Sequence, residues 1–107
     1  MASIFMSEEA IRDLEQIGDY IAHQLKSPKS AFNTIRKIQE RINQLEDFPL
    51  VGTPLSAVVA THTAYRFLGC GSYLAFYRYL DGDVLIDRIL HGRQDYIAIL
   101  FGDIQDE

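Results

Sequence analysis

Two arginines, a histidine, an aspartate and a tyrosine stand within the nine residues RILHGRQDY, 88–96 of this chain. These side chains are the ones phosphodiester chemistry uses. Cutting RNA through its 2′-hydroxyl needs a base for the hydroxyl proton and an acid for the leaving oxygen. It also needs cations for the charge that builds on the phosphate. The nucleophile belongs to the substrate, so no metal is required. Guanidinium forks suit phosphate or carboxylate and keep their charge when half-buried. His91 can exchange a proton near neutral pH, and so can His62 upstream. The same residues equally suit a docking surface for a protein partner, or merely the solvated end of a strand.

Bulk properties narrow these choices. A length of 107 residues suits one domain, 1–107, with one ordinary core. Hydrophobic residues at 48% and charged residues at 23% are globular proportions, which argues against whole-chain disorder. The net charge of -5 disfavours a general positive field for nucleic acid and leaves only a local basic site. The cations after residue 60 are all arginines, Arg66, Arg78, Arg88 and Arg93, whereas Lys26, Lys29 and Lys37 lie early. The second half thus carries forks for anion recognition and no lysine.

Cys70 is the single cysteine, so no internal disulfide forms, which fits a reducing cytoplasm. Between two glycines, it reads as a small residue in a turn. His23, His62 and His91 without a cysteine pair make no zinc signature, and neither metal nor cofactor is expected. GCG and HGR lack the spacing and following lysine of a phosphate loop. No apolar run approaches the roughly 18 residues of a membrane span. The start, MASIFMSEEA, does not read as a secretory signal, so a cytoplasmic protein without membrane contact is expected.

The elements that position these residues follow from periodicity. SIF at 3–5 reads as a first strand. Ser7 reads as an N-cap, with Glu8 and Glu9 suited to the helix dipole. Ala10, Leu14, Ile17, Ile21 and Leu25 make one stripe on a helix from about 8 to 26. Ser27 and Pro28 restart a helix, whose stripe is Ala31, Ile35, Ile38, Ile42 and Leu45. It ends near Asp47, because Pro49 disfavours helix at Phe48. Residues 49–62 read as a connection. TAYRFL, SYLAFYRYL and VLIDRIL read as strands, joined by tight turns at GCG and DGD. Residues 95–101 form a short helix or extend a strand. The result is an α+β domain, β-α-α-β-β-β, with a helical hairpin on a three-stranded meander. Along 73–80 the pleat separates Leu74, Phe76, Arg78 and Leu80 from Tyr73, Ala75, Tyr77 and Tyr79. An apolar side under the helices and a tyrosine side open to a partner is one reading; which side is buried stays open.

The series DLEQIGDYI, the Pro-containing restart, LEDFPLVG, YRFL, GSYLAFYRY and RILHGRQDY resembles the RelE/ParE superfamily of bacterial toxins over about residues 3–101. The resemblance implies a helical hairpin packed on a curved antiparallel sheet, and a toxin neutralised by a cognate antitoxin in a hetero-oligomer. RelE-like members cleave mRNA in the ribosome, whereas ParE-like members poison DNA gyrase. HGRQD is similar to the HGRRD-like ending of ParE-like members and tilts the reading to that branch.

Each branch names its own residues. As an RNase, the set would be His62, Arg66, His91, Arg93 and Tyr96, with the arginines clamping phosphate. The lysines a RelE-like enzyme would place before Arg66 are missing, since 49–64 hold no cation. As a target-binding protein, the set would be Arg66, Arg78, Arg93 and Asp95. Ordinary roles compete with both: His91 capping or packing at a strand end, His62 in solvent, Tyr96 in the core, Arg78 structural, and Arg88 or Asp87 meeting a partner across the sheet or facing solvent. Asp87 and Arg88, being adjacent in a strand, should not pair with each other.

Overall fold

The computed structural model describes residues 1–60 and 62–102. Residue 61 of the expected connection and the end of the expected 1–107 domain lie outside the described residues. After strand β1 (Ser3–Met6), the Ser7 side chain accepts from the Ala10 N–H at 2.9 Å and starts α1 (Glu8–Asp19). This is the expected cap, and it satisfies one of the orphan donors of the first turn. α1 widens into a π-helical turn at Tyr20–Gln24, and Lys26 then takes a left-handed φ of 53°. The change of pitch rotates the end of the expected stripe. Ala10, Leu14 and Ile21 are buried and Ile17 is half-buried, but Leu25 faces solvent. Ser27 caps α2 (Pro28–Asn43), with Pro28 in its first turn, and a 3₁₀ turn at Gln44–Glu46 ends it. Ala31, Ile38, Ile42 and Leu45 are buried as their spacing predicts, with Ile35 packed beside them.

The five-stranded sheet has the order β1-β5-β4-β3-β2. It comprises β2 (Thr53–Pro54), β3 (Arg66–Cys70), β4 (Tyr73–Leu80) and β5 (Asp83–His91) besides β1. The meander β3-β4-β5 is antiparallel as expected, and β1 adds to β5 in parallel, so the sheet is mixed. The β4–β5 turn is Asp81–Gly82, with φ of 52° and 84°. That pair of positive values gives the strand-matched hairpin turn.

The other hairpin differs from expectation. Strand pairing begins at Arg66, three residues later than TAYRFL implies, and runs through Cys70, which pairs with Tyr73. The turn is therefore Gly71–Ser72. Cys70 is a buried strand residue, not a turn residue, and burial pushes its thiol pKa up. The pleat also resolves against the open-tyrosine reading. Tyr73, Ala75 and Tyr77 face the helices with Val84, Ile86 and Ile89. Phe76 and Leu90 face the opposite side, where Leu55 and α3 (Tyr96–Phe101) cover them. Of the two forms open to 95–101, the helix is the one adopted, and the sheet is packed on both faces.

Candidate protein-binding site

The register between β4 and β5 slips between Phe76 and Tyr77, which stand opposite Arg88 and Ile86. Asp87 is the extra residue of a bulge, so Ile86 and Ile89 share one face although three positions apart. The bulge breaks the alternation of faces expected to separate Asp87 from Arg88, yet the two still bond to different partners. The Asp87 carboxylate accepts from Arg78 Nε at 2.8 Å across the sheet, and Arg78 also stands 5.7 Å over the Tyr65 ring. That hydrogen bond raises the Arg78 pKa above its already high value.

Arg88 donates through Nε and NH2 to both oxygens of Asp13 on α1, each at 2.9 Å. Asp13 Oδ2 also accepts the Ile89 N–H at 2.8 Å. β1 pairs with β5 only as far as Ile86, so without Asp13 that N–H would lie on an uncovered strand edge. Asp13, 6% exposed, is the buried charged residue among the described residues, and this forked pair compensates it. Sequence reasoning missed it. The signal was present, because Asp13 lies three residues after Ala10 and four before Ile17, on the apolar stripe itself.

Arg66 is engaged within the chain. Its NH1 donates to the carbonyl oxygens of Leu50 at 3.2 Å and Gly52 at 2.8 Å. On the same loop the buried Tyr77 hydroxyl donates to the Pro49 oxygen at 2.8 Å and accepts the Gly52 N–H at 2.9 Å. A Cβ at Gly52 would stand 2.5 Å from that hydroxyl oxygen, so only glycine fits this close approach. Neither Tyr77 nor Gly52 was among the expected site residues. Their link joins positions 25 apart, which no local spacing reveals.

At the far end of β5, His91 half-buries its ring edge-on against Tyr73, with centroids 5.3 Å apart. Its Nδ1 accepts the Arg93 N–H at 3.1 Å, so a neutral ring carries its proton on Nε2. Gln94 Oε1 accepts the His91 N–H at 2.8 Å. Beside them lies a cleft of about 710 Å³, bordered by Tyr20 and Tyr73 and floored by the Asp13–Arg88 pair. Arg93 is exposed and its guanidinium has no hydrogen bond or ion pair among the described residues. Asp95 caps α3 by accepting the Ala98 N–H at 3.3 Å, and Tyr96 packs against Phe76 with centroids 5.2 Å apart.

These placements separate the expected RNase set. Arg66 pairs in register with Tyr77 and His91 with Tyr73, four residues apart on β4, about 13 Å. Tyr96 lies on the opposite face of the sheet. His62 is exposed in the loop before β3, beside Ser56, Val59 and Ala60. The four residues expected to bind a target separate too. Arg66 and Arg78 hold internal contacts, Asp95 caps a helix, and Arg93 is left facing solvent. Among the described residues no group of three His, Cys, Asp or Glu is arranged to hold a metal ion, and no helix is long and apolar enough to cross a membrane.

The fold defines an α+β class in which a helical hairpin packs on a five-stranded mixed sheet. The family model for the ParE toxin of the type II toxin–antitoxin system, parDE, matches residues 4–96. The chain belongs to the ParE toxin family, the toxin side of a type II toxin–antitoxin pair. Solved structures share the fold. The chromosomal ParDE system of P. aeruginosa superposes with a TM-score of 0.71 at 23% identity, covering 85% of this chain and 96% of that one. The RelBE2 complex of Mycobacterium tuberculosis gives 0.54 at 24% identity, over 84% and 96%. Isolated E. coli RelE gives 0.54 at 12% identity, over 98% and 100%. No curated protein sequence matches the chain.

Proposed function

We propose that this toxin arrests growth by binding DNA gyrase, with no bond-making chemistry of its own, and that a cognate antitoxin neutralises it as a hetero-oligomer. The observation that carries this reading is the direction of the guanidinium groups. Arg66, Arg78 and Arg88 all donate to acceptors within the chain. A clamp for a reacting phosphate would need such donors free and converging on one point. His91 shares a cleft with Arg88, but that guanidinium is held by Asp13, and His91 lies about 13 Å from Arg66 along β4, while Tyr96 lies on the opposite face of the sheet. The charge of -5 also works against entry into an RNA-rich target.

The test is supercoiling by purified gyrase in the presence of the toxin. Inhibition that is relieved by the co-expressed antitoxin is the expected result. A RelE-like RNase remains the competing mechanism. It predicts cleavage of mRNA in a translation extract, and A-site cleavage with unimpaired supercoiling would replace the gyrase reading.

A further inference from the structure

Turns between elements are ordinarily polar, built from Gly, Asn, Asp and Ser. The turn at 48–51 reads FPLV. Its backbone closes through the Val51 N–H to the Phe48 oxygen at 3.1 Å. The three side chains flanking Pro49 point outward: Phe48 is 66% exposed, Leu50 56% and Val51 56%. Single exposed apolar residues are commonplace and need no explanation. Three on one closed turn form a small protruding cluster.

The same turn is fixed from beneath by one buried and one half-buried side chain. Tyr77, fully buried, bonds to Pro49 and Gly52, and Arg66 bonds to Leu50 and Gly52. These four hydrogen bonds hold the backbone while leaving the side chains of Phe48, Leu50 and Val51 outside. A core tyrosine and a half-buried arginine thus hold an apolar surface on display. Rigid display removes much of the ordering cost that a flexible loop would incur on binding. Aromatic and aliphatic anchors of this kind supply most of the energy of protein interfaces.

We propose that the FPLV turn is a prebuilt anchor that inserts into an apolar socket with a basic rim on the protein this toxin acts on. The inference rests on the reading that the toxin works by binding a protein, and it assigns the surface. Charge selects the partner. Exposed Glu46 and Asp47 immediately precede the turn, and 42–65 contain no lysine or arginine. Arg66 lies beside the turn, but its NH1 is directed inward at the carbonyls. Opposed basic groups on the partner would therefore guide docking and fix its orientation.

The test uses Phe48→Asp and Leu50→Asp in the full chain. Both sites are exposed, so circular dichroism and the thermal midpoint should match wild type. The expected result is a loss of growth arrest on induction and gyrase inhibition about tenfold weaker for each change. Glu46→Lys with Asp47→Lys should weaken inhibition further at low salt than at high salt, where such charges are screened. Folded variants that arrest growth as wild type does overturn the proposal. So do variants that remain toxic but escape the co-expressed antitoxin, since the turn would then dock the antitoxin. If wild type arrests growth yet leaves gyrase unaffected, the gyrase reading fails, while the growth-arrest comparison still decides whether the turn is the anchor.

Discussion

Arg93 and Asp13 illustrate opposite uses of charge at single positions. Arg93 is exposed just after β5 and has no ion pair among the described residues. Arg93→Glu should therefore leave the thermal midpoint unchanged and weaken gyrase inhibition about tenfold, as loss and reversal of one target contact would. An unchanged inhibition curve would remove Arg93 from the site. Asp13 is buried and holds both Arg88 and the Ile89 N–H. Asp13→Ala should cost about 3 kcal/mol in chemical denaturation, because it leaves a half-buried guanidinium and a strand N–H without their acceptor. Arg93 was legible in the sequence as a residue of interest, because it stands in an unusually polar stretch. The partner of Asp13 was not, because Arg88 lies 75 residues away.

Among elements, the clamp on the 49–52 loop shows how a strand can fix a connection. Tyr77→Phe removes the hydroxyl that serves both Pro49 and Gly52. The cost should be about 2 kcal/mol, the usual penalty for buried polar groups left unpaired. Gly52→Ala should destabilise at least as much, because its methyl would meet that hydroxyl inside van der Waals contact. Denaturant titration of both variants checks this, and a stable Gly52→Ala protein would contradict the close approach. In β3, Cys70 is buried and its thiol pKa is raised. It should react slowly with an alkylating reagent in the native protein and quickly in denaturant. Helix limits were legible from Ser7, Ser27 and Pro28, because capping is decided within four residues. The β3 limit was not, because glycines at 69 and 71 both suit a turn and only pairing with Tyr73 chooses between them.

At the scale of the whole molecule, burial raises the pKa of Tyr65, Tyr73 and Tyr77 above the ordinary 10.0. The neutral phenols are favoured in the folded state, so the unfolded chain loses protons first as pH rises. Their stabilising contribution is complete below the ordinary value and is lost as pH climbs through the raised ones. The protein should therefore lose stability above about pH 10, checked by the denaturant midpoint followed by circular dichroism across a pH series. A midpoint that stays constant through that range would contradict the contribution of these rings. The sequence by itself determined the α+β class, the helical hairpin and the meander, because 3.6- and 2-residue periods and caps are local properties; the toxin family resemblance rested instead on an ordered series of short motifs. Only the tertiary structure decided which face of β4 meets the helices. The alternation of Tyr73, Ala75 and Tyr77 with Leu74 and Phe76 offers two faces of similar apolarity, and α3 makes both of them interior. The arginines followed the same rule. Their type announced anion recognition, but Asp13, Asp87 and the carbonyls of Leu50 and Gly52 reach them only through the fold.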